Sequence, residues 1–425
     1  MNAASNRTCL LAALSRVAKR TALACVICCS MASLTSGAVL PGIDMLERQG
    51  FAAVQGKRIG LITNHTGRSG DGRSSIDILY HAPGVNLVAL YSPEHGIRGE
   101  ADEKVPSGID AKTGLSVHSL FGATCRPTPE MLRGIDMLVF DIQNIGTRFY
   151  TYIGTLSLAM KAAKKAGIPF VVLDRPNPIN GIDIGGAIPK APLPDTKDGC
   201  GCLTSIHRVP TRHGMTVGEL ARMFNGEFGI GCDLRVVAMQ GWRRSMYFDE
   251  TGLTWVNPSP NMKSLSGAIL YPGSGTLETT NLSVGRGTST PFELYGAPWL
   301  DAKALAANLE KRMIPGVRFT STSFVPTGPG TPYRDTVCNG VNVAITDRKL
   351  ARSVLTGLHL AQAVYEVHPD RFKIYGGYGI EVGDSEAAML LTRGGKRPEE
   401  VVGRWTGDLA EFVRMREKYL LYGME

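Results

Sequence analysis

The sequence predicts an α/β fold: a mostly parallel sheet domain followed by a second, smaller α+β domain. Three observations carry this. Four short apolar runs, Lys57–Ile62, Val85–Leu90, Met137–Phe140 and Pro169–Leu173, each end in a polar cluster. Helix-length segments separate them, the pattern of buried parallel strands joined by crossovers. Near Tyr271-Pro272-Gly273-Ser274-Gly275 the composition changes, and a helix–strand–helix pattern takes over.

Gly42–Leu46 reads as a helix entry that caps the first domain, and four β–α units follow to about Asn180. Their helices fall at 75–81, 129–134 and 152–166. The last has Leu156, Met160 and Ala163 at helical spacing, Gly167 as its stop and Pro169 opening the next strand. Residues 181–205, rich in Gly, Pro and Asp, read as a long loop at the rim of a site. A strand is expected at 207–210. A helix follows at 216–224, where Thr216 and Glu219 form a capping box, then a strand at 234–238. Trp255–Met262 is a loop stiffened by two prolines. Beyond it, helices are expected at 302–312 and 350–367, with a strand at 340–346. The boundaries are therefore 1–38 for a signal segment, 39–272 for the first domain and 273–425 for the second.

The formal charge of +8 is uneven. Arg7, Arg16, Lys19 and Arg20 precede Ala38 with no acid among them, which leaves +4 for the rest. That mild balance, without a Lys/Arg-rich run, argues against a nucleic-acid partner. Basic residues, an apolar stretch at 21–34 and Ser36-Gly37-Ala38 form a secretory signal pattern. Cleavage there implies a periplasmic or secreted protein without stable membrane insertion; Cys25 fits a lipidation site only loosely. Five cysteines follow the signal, an odd number, so complete pairing is excluded. One bridge within Cys200, Cys202 and Cys232 suits an oxidising compartment, and zinc at Cys200-Gly201-Cys202 lacks a second ligand pair.

In open parallel sheets ligands lie beyond the carboxyl ends of the strands. The polar residues there, Asn64, His65, Glu94, His95, Asp141, Asp174 and Arg175, are thus candidates for one site. Glu94, between a proline and a histidine, suits a general acid; the competing reading is a helix cap or a partner for Arg98. Asp141 ends an apolar run, where a charge needs partners or a task, and paired carboxyl groups are what glycoside hydrolysis uses. The competing reading has Asp141 holding loop amides. Arg148 beside Tyr150 and Tyr152 suits an anionic ring-shaped ligand, with Phe149 in the core. Asp174 and Arg175 read either as site residues or as a salt bridge with each other. A metal site gains no support from ligand spacing. The frames for a serine nucleophile, a dinucleotide and a phosphate loop are absent.

Ser92–Gly96, Asp141–Tyr152, Asp174–Pro178, Trp255–Met262 and Asn281–Thr288, in this order, resemble the former DUF1343 family, the NamZ-type exo-β-N-acetylmuramidases of glycoside hydrolase family 171. The resemblance runs from about Gly42 to the C-terminus. It implies a Rossmann-like first domain, a cleft between the two domains, release of N-acetylmuramic acid from non-reducing ends of peptidoglycan fragments, and Glu94 as the leading catalytic residue. Two positions depart from the family pattern: Asn144 stands where Asp is usual, and Thr279 where Gly is usual.

The expected activity is that of an exo-acting glycosidase on β-1,4-linked N-acetylmuramic acid. Glu94 is the general acid/base, and Asp141 steadies charge or positions water. The lactyl carboxylate of the sugar calls for Arg148, Arg175 or Arg286, and its N-acetyl group for Asn64, Asn257 or Asn261. Tyr150, Tyr152, Glu278 and Asn281 complete the expected binding set. Peptidoglycan fragments are the expected partner, with no metal or organic cofactor. A muropeptide-binding protein without catalysis, which Asn144 keeps open, and a metal-dependent hydrolase are the alternatives.

Overall fold

Residues 38–98 and 106–423 are described by the computed structural model, so the expected signal lies outside the described residues apart from Ala38. The first domain is built on seven strands: β1 (Arg58–Thr63), β2 (Asn86–Ser92), β3 (Gly108–Ile109), β4 (Ser116–Ser119), β5 (Met137–Asp141), β6 (Phe170–Leu173) and β7 (Leu234–Val237). Their order is β3-β4-β2-β1-β5-β6-β7, and every neighbouring pair is parallel except β3 with β4. From β1 the chain moves outward to β2 on one side and later returns to place β5 on the other. Thr63 of β1 is level with Asp141 of β5, so these two strand ends form the switch point of the sheet. β1, β5 and β6 are buried on both faces apart from Arg58, which explains their unbroken apolar runs.

Helices α1 (Gly42–Arg48), α2 (Ser75–His81), α3 (Tyr152–Ala166) and α4 (Val217–Gly226) accompany this sheet. Gly167 takes φ 69° to end α3, and the Thr216–Glu219 capping box opens α4, both as the sequence predicts. Two expectations fail. Residues 129–134 form only turns; between Pro129 and Gly134 there are too few residues to offset the cost of nucleating a helix. Residues 207–210 are irregular, since β7 already occupies the open edge of β6 and Pro210 has no N–H to offer.

In the second domain β8 (Leu294–Ala297), β9 (Val317–Phe324) and β10 (Cys338–Ile345) form an antiparallel sheet in the order β8-β10-β9. It is accompanied by α5 (Leu265–Ser274), α6 (Ala302–Glu310), α7 (Ser353–Val367), α8 (Gly377–Val382), α9 (Ala387–Leu391), α10 (Pro398–Gly403) and α11 (Thr406–Glu417). The sequence reading misses α5 because Pro272 sits in its last turn; burial of Gly267–Ser274 holds the helix despite the lost hydrogen bond. At its end, Gly273 meets Gly357 of α7 backbone to backbone. A Cβ at Gly273 would lie 1.9 Å from the Ser353 carbonyl oxygen. The C-terminal segment returns to the first sheet, where Tyr422 Oη donates to Asp174 Oδ2 (2.6 Å) and accepts from the Met239 N–H (2.9 Å). Among the described residues, no helix is long and apolar enough to cross a membrane.

Cys125 and Cys200 form a disulfide, not a pair within Cys200, Cys202 and Cys232; Cys202 and Cys232 are buried free thiols. The bridge fastens the rim loop to the segment after β4 across 75 residues of sequence. Cys125→Ser is expected to lower unfolding stability by about 2–4 kcal/mol, read from the shift in a urea titration.

Candidate active site

Beyond the carboxyl end of β2, the chain turns sharply at Glu94-His95-Gly96. His95 (φ 70°) and Gly96 (φ 75°) both adopt the left-handed region, an uncommon state for a histidine. This turn presents the half-buried Glu94 to a cavity of about 220 Å³. The segment Phe149-Tyr150-Thr151, just before α3, forms the facing wall, and the Thr151 hydroxyl donates to Glu94 Oε2 (2.5 Å). Arg98, the structural partner considered for Glu94, pairs with Asp110 instead (2.5 Å).

The second domain supplies the opposite side. Glu278, Thr279, Arg286 and Glu381 line the cavity, with Asn261 of the proline-stiffened loop between them. Arg286 Nη1 donates to Glu278 Oε1 (2.8 Å), and Tyr271 Oη donates to Glu278 Oε2 (3.3 Å). Aromatic rings back the cavity: Tyr150 meets Tyr271 edge-on at 6.1 Å and Tyr152 at 4.9 Å. The cavity therefore joins carboxyl groups, one arginine and ring faces, the equipment for a polar, ring-shaped ligand.

Several predicted site residues lie elsewhere, each for a physical reason. Asp141 is fully buried. Its oxygens are taken by the Arg175 guanidinium (Nη2 to Oδ2 2.9 Å) and the Ser75 hydroxyl, and it does not line the Glu94 cavity. The expectation that Asp141 shares one site with Glu94 is corrected: it ties the end of β5 to α2 and to Arg175, and Arg175 is thereby committed to the same ion pair. Asp174 and Arg175 do not bridge to each other. Asp174 instead accepts from the Gly218 N–H (2.7 Å) and the Thr216 hydroxyl (2.8 Å) at the start of α4, and burial pushes its carboxyl up to about 6.

Arg148 is likewise removed from ligand duty. It is 1% exposed and donates to the carbonyls of Thr204 (3.2 Å), Ile380 (3.0 Å) and Glu381 (2.6 Å). The last two are orphan carbonyls at the end of α8, so Arg148 caps that helix. Burial lowers its guanidinium to about 10. Asn64, His65 and Tyr152 act together as a prop. Asn64 Nδ2 donates to Tyr152 Oη (3.1 Å), Tyr152 Oη donates to the Pro258 carbonyl (2.6 Å), and His65 Nε2 donates to the Asn257 carbonyl (2.6 Å). They hold the loop that carries Asn261 into the cavity, where Asn261 Oδ1 accepts from the Gly287 N–H (3.0 Å) next to Arg286. Asn257 itself is exposed outside the cavity lining. Asn281 fastens Arg371 and Lys373 through 2.9 and 2.8 Å hydrogen bonds, again outside that lining.

Of the predicted set, the structure thus gathers Glu94, His95, Tyr150, Asn261, Glu278 and Arg286 at one cavity. It adds Thr151, Tyr271 and Glu381, which the sequence reading did not single out. Thr151 lies within the stretch Asp141–Tyr152, but Glu381 sits in a short Gly-bounded helix with no spacing signal. Asn144 lies outside the cavity lining. Its Oδ1 accepts from the N–H groups of Ile145 (2.6 Å) and Gly146 (3.2 Å), an acceptor role that an aspartate fills equally. Among the described residues no three His, Cys, Asp or Glu side chains converge as a metal-ligand set.

A parallel sheet whose strand ends meet a smaller domain over a carboxyl-lined, ring-backed hollow defines a two-domain α/β protein of the carbohydrate-handling class. Comparison with known proteins narrows the class. Residues 59–266 match the model described as exo-beta-N-acetylmuramidase NamZ, N-terminal, and residues 269–422 match its C-terminal counterpart. The chain belongs to the NamZ exo-β-N-acetylmuramidase family, formerly DUF1343. It is 44% identical over 388 residues to the peptidoglycan β-N-acetylmuramidase NamZ of Bacillus subtilis, covering 90% of this chain and 91% of that one. Two crystal structures of DUF1343 family proteins from Bacteroides fragilis share its fold. One has a TM-score of 0.82 at 39% identity and the other 0.74 at 30%; each match covers 91% of this chain and 99% of the other.

Proposed function

We propose that this protein is an exo-acting glycosidase that releases β-1,4-linked N-acetylmuramic acid from the non-reducing end of peptidoglycan fragments. The observation that carries the reading is Glu94. The turn after β2 presents it to the cavity, where the Thr151 hydroxyl hydrogen-bonds it. Glycoside hydrolysis runs on such a carboxyl, as the participant in proton transfer at the scissile bond. The name and the shared sequence of the Bacillus subtilis relative support the same substrate class. Incubation with the disaccharide of N-acetylmuramic acid and N-acetylglucosamine should liberate free N-acetylmuramic acid, detected by mass. Tight binding of the disaccharide with no product over hours would overturn the reading.

Arg286 is the proposed anchor for the lactyl carboxylate, because Arg148 and Arg175 are spent on buried carbonyls and on Asp141. Arg286→Ala is expected to raise KM for muramyl substrates by about 10-fold or more with a smaller change in kcat, as loss of a charge-assisted hydrogen bond predicts. An unchanged KM removes Arg286 from this role. The proposed location is outside the cytoplasm. The signal pattern before Val39 and the Cys125–Cys200 bridge, which needs oxidising surroundings, both support export.

A further inference from the structure

Removing Asp141 from the cavity leaves the proposed reaction with one assigned carboxyl group, where the commonest form of glycoside hydrolysis uses two. Two other carboxyl groups line the same cavity, Glu278 and Glu381. Glu278 has both oxygens engaged, one by Arg286 and one by Tyr271. Glu381 differs: its Oε2 is buried and has no hydrogen-bond partner among the described residues. The backbone beneath it is held firmly, because Arg148 grips the carbonyls of Ile380 and Glu381 (3.0 and 2.6 Å) and the Thr211 hydroxyl donates to that of Val382 (3.2 Å). Glu381 thus combines a place in the cavity lining, a clamped backbone and one buried oxygen left unsatisfied, the setting of a group that exchanges a proton with a ligand.

We propose that Glu381 is the second carboxyl of the reaction, giving its proton to the departing glycosidic oxygen while Glu94 serves the anomeric side. The inference rests on the glycosidase reading above. In the step, the bond from C1 to the leaving oxygen breaks, its electron pair stays on that oxygen, and the oxygen takes the Glu381 proton. The oxygen of a water bonds to C1, and the proton it sheds goes to the Glu94 carboxylate. Exchange with solvent restores both groups.

The electrostatics agree. Burial is the largest influence on Glu381 and lifts its carboxyl to about 7, with Glu278 pushing the same way; Arg148 and the Thr204 hydroxyl pull it down without prevailing. The other charged or titratable groups that line the cavity are Glu94, His95, Arg286, Tyr271 and Tyr150, from the turn after β2, the glycine-rich loop, α5 and the segment before α3. An acid of that strength keeps much of its proton at neutral pH and still releases it readily.

The test compares kcat/KM for two substrates, the natural disaccharide and a 4-nitrophenyl β-N-acetylmuramide, whose leaving group departs without protonation. For Glu381→Gln we expect a loss of at least about 10²-fold on the disaccharide, only a few-fold loss on the nitrophenyl substrate, and disappearance of the fall in disaccharide kcat/KM as pH rises through about 7. Glu94→Gln should depress both substrates. Equal losses on both substrates for Glu381→Gln, or a retained pH profile, would overturn the proposal. Glu381→Asp, which keeps a carboxyl, should recover part of the disaccharide rate; recovery no better than Gln, in a protein that melts normally, also counts against it. If the wild-type protein fails to cleave either substrate, the glycosidase reading itself fails, a result distinct from wild-type turnover with an indifferent Glu381.

Discussion

Glu94→Gln is expected to lower release of N-acetylmuramic acid by at least about 10²-fold while leaving the melting temperature close to that of the wild type. The first half follows from position. Glu94 lines the cavity, half-buried, with its Oε2 on the Thr151 hydroxyl. The second half follows from its partner: a glutamine side chain retains a carbonyl oxygen that accepts from the Thr151 hydroxyl as the carboxylate does. Turnover and unfolding, measured on the same preparation, separate chemistry from architecture. Near-wild-type release by the variant would remove Glu94 from the reaction.

The opposite signature is expected at Asp141. Asp141→Ala strips the partner from Arg175, whose side chain is only 5% exposed, and leaves an uncompensated charge beneath the switch point of the sheet. Breaking a buried ion pair from one side costs about 3–5 kcal/mol. The Ser75 hydroxyl loses its acceptor as well. A large drop in the urea midpoint is therefore the result to look for, with turnover per folded molecule within a few-fold of wild type at low temperature. A variant as stable as the wild type but without turnover would restore Asp141 to the chemistry.

These two acids show how far the sequence can be read. Parallel strands, their order of appearance and the polar clusters at their ends were legible, because burial on both faces forces unbroken apolar runs and strand ends are where polar groups gather. Glu94 was legible for the same reason. What a strand-end polar residue does was not. Asn64, Asp141, Arg148, Tyr152 and Asp174 look like ligand contacts in one dimension. In three they cap helices, fill ion pairs and prop a loop, because buried polar groups must first satisfy one another. Glu381 was invisible for a different reason. It comes from a six-residue helix nearly 290 residues further along the chain, which Arg148 and Thr211 hold beside the cavity. The residues 129–134 and 207–210 were misread because local pattern was trusted where a short length and a proline rule out regular structure.

The glycine-to-glycine crossing of α5 and α7 bears on the wall that a ligand meets. Where Gly273 and Gly357 touch main chain to main chain, no layer of side chains remains to slide or re-pack. The stretch just past α5, which carries Glu278, therefore rests on an anvil that does not yield. A sugar pressed against that side meets a wall whose shape is set when the chain folds.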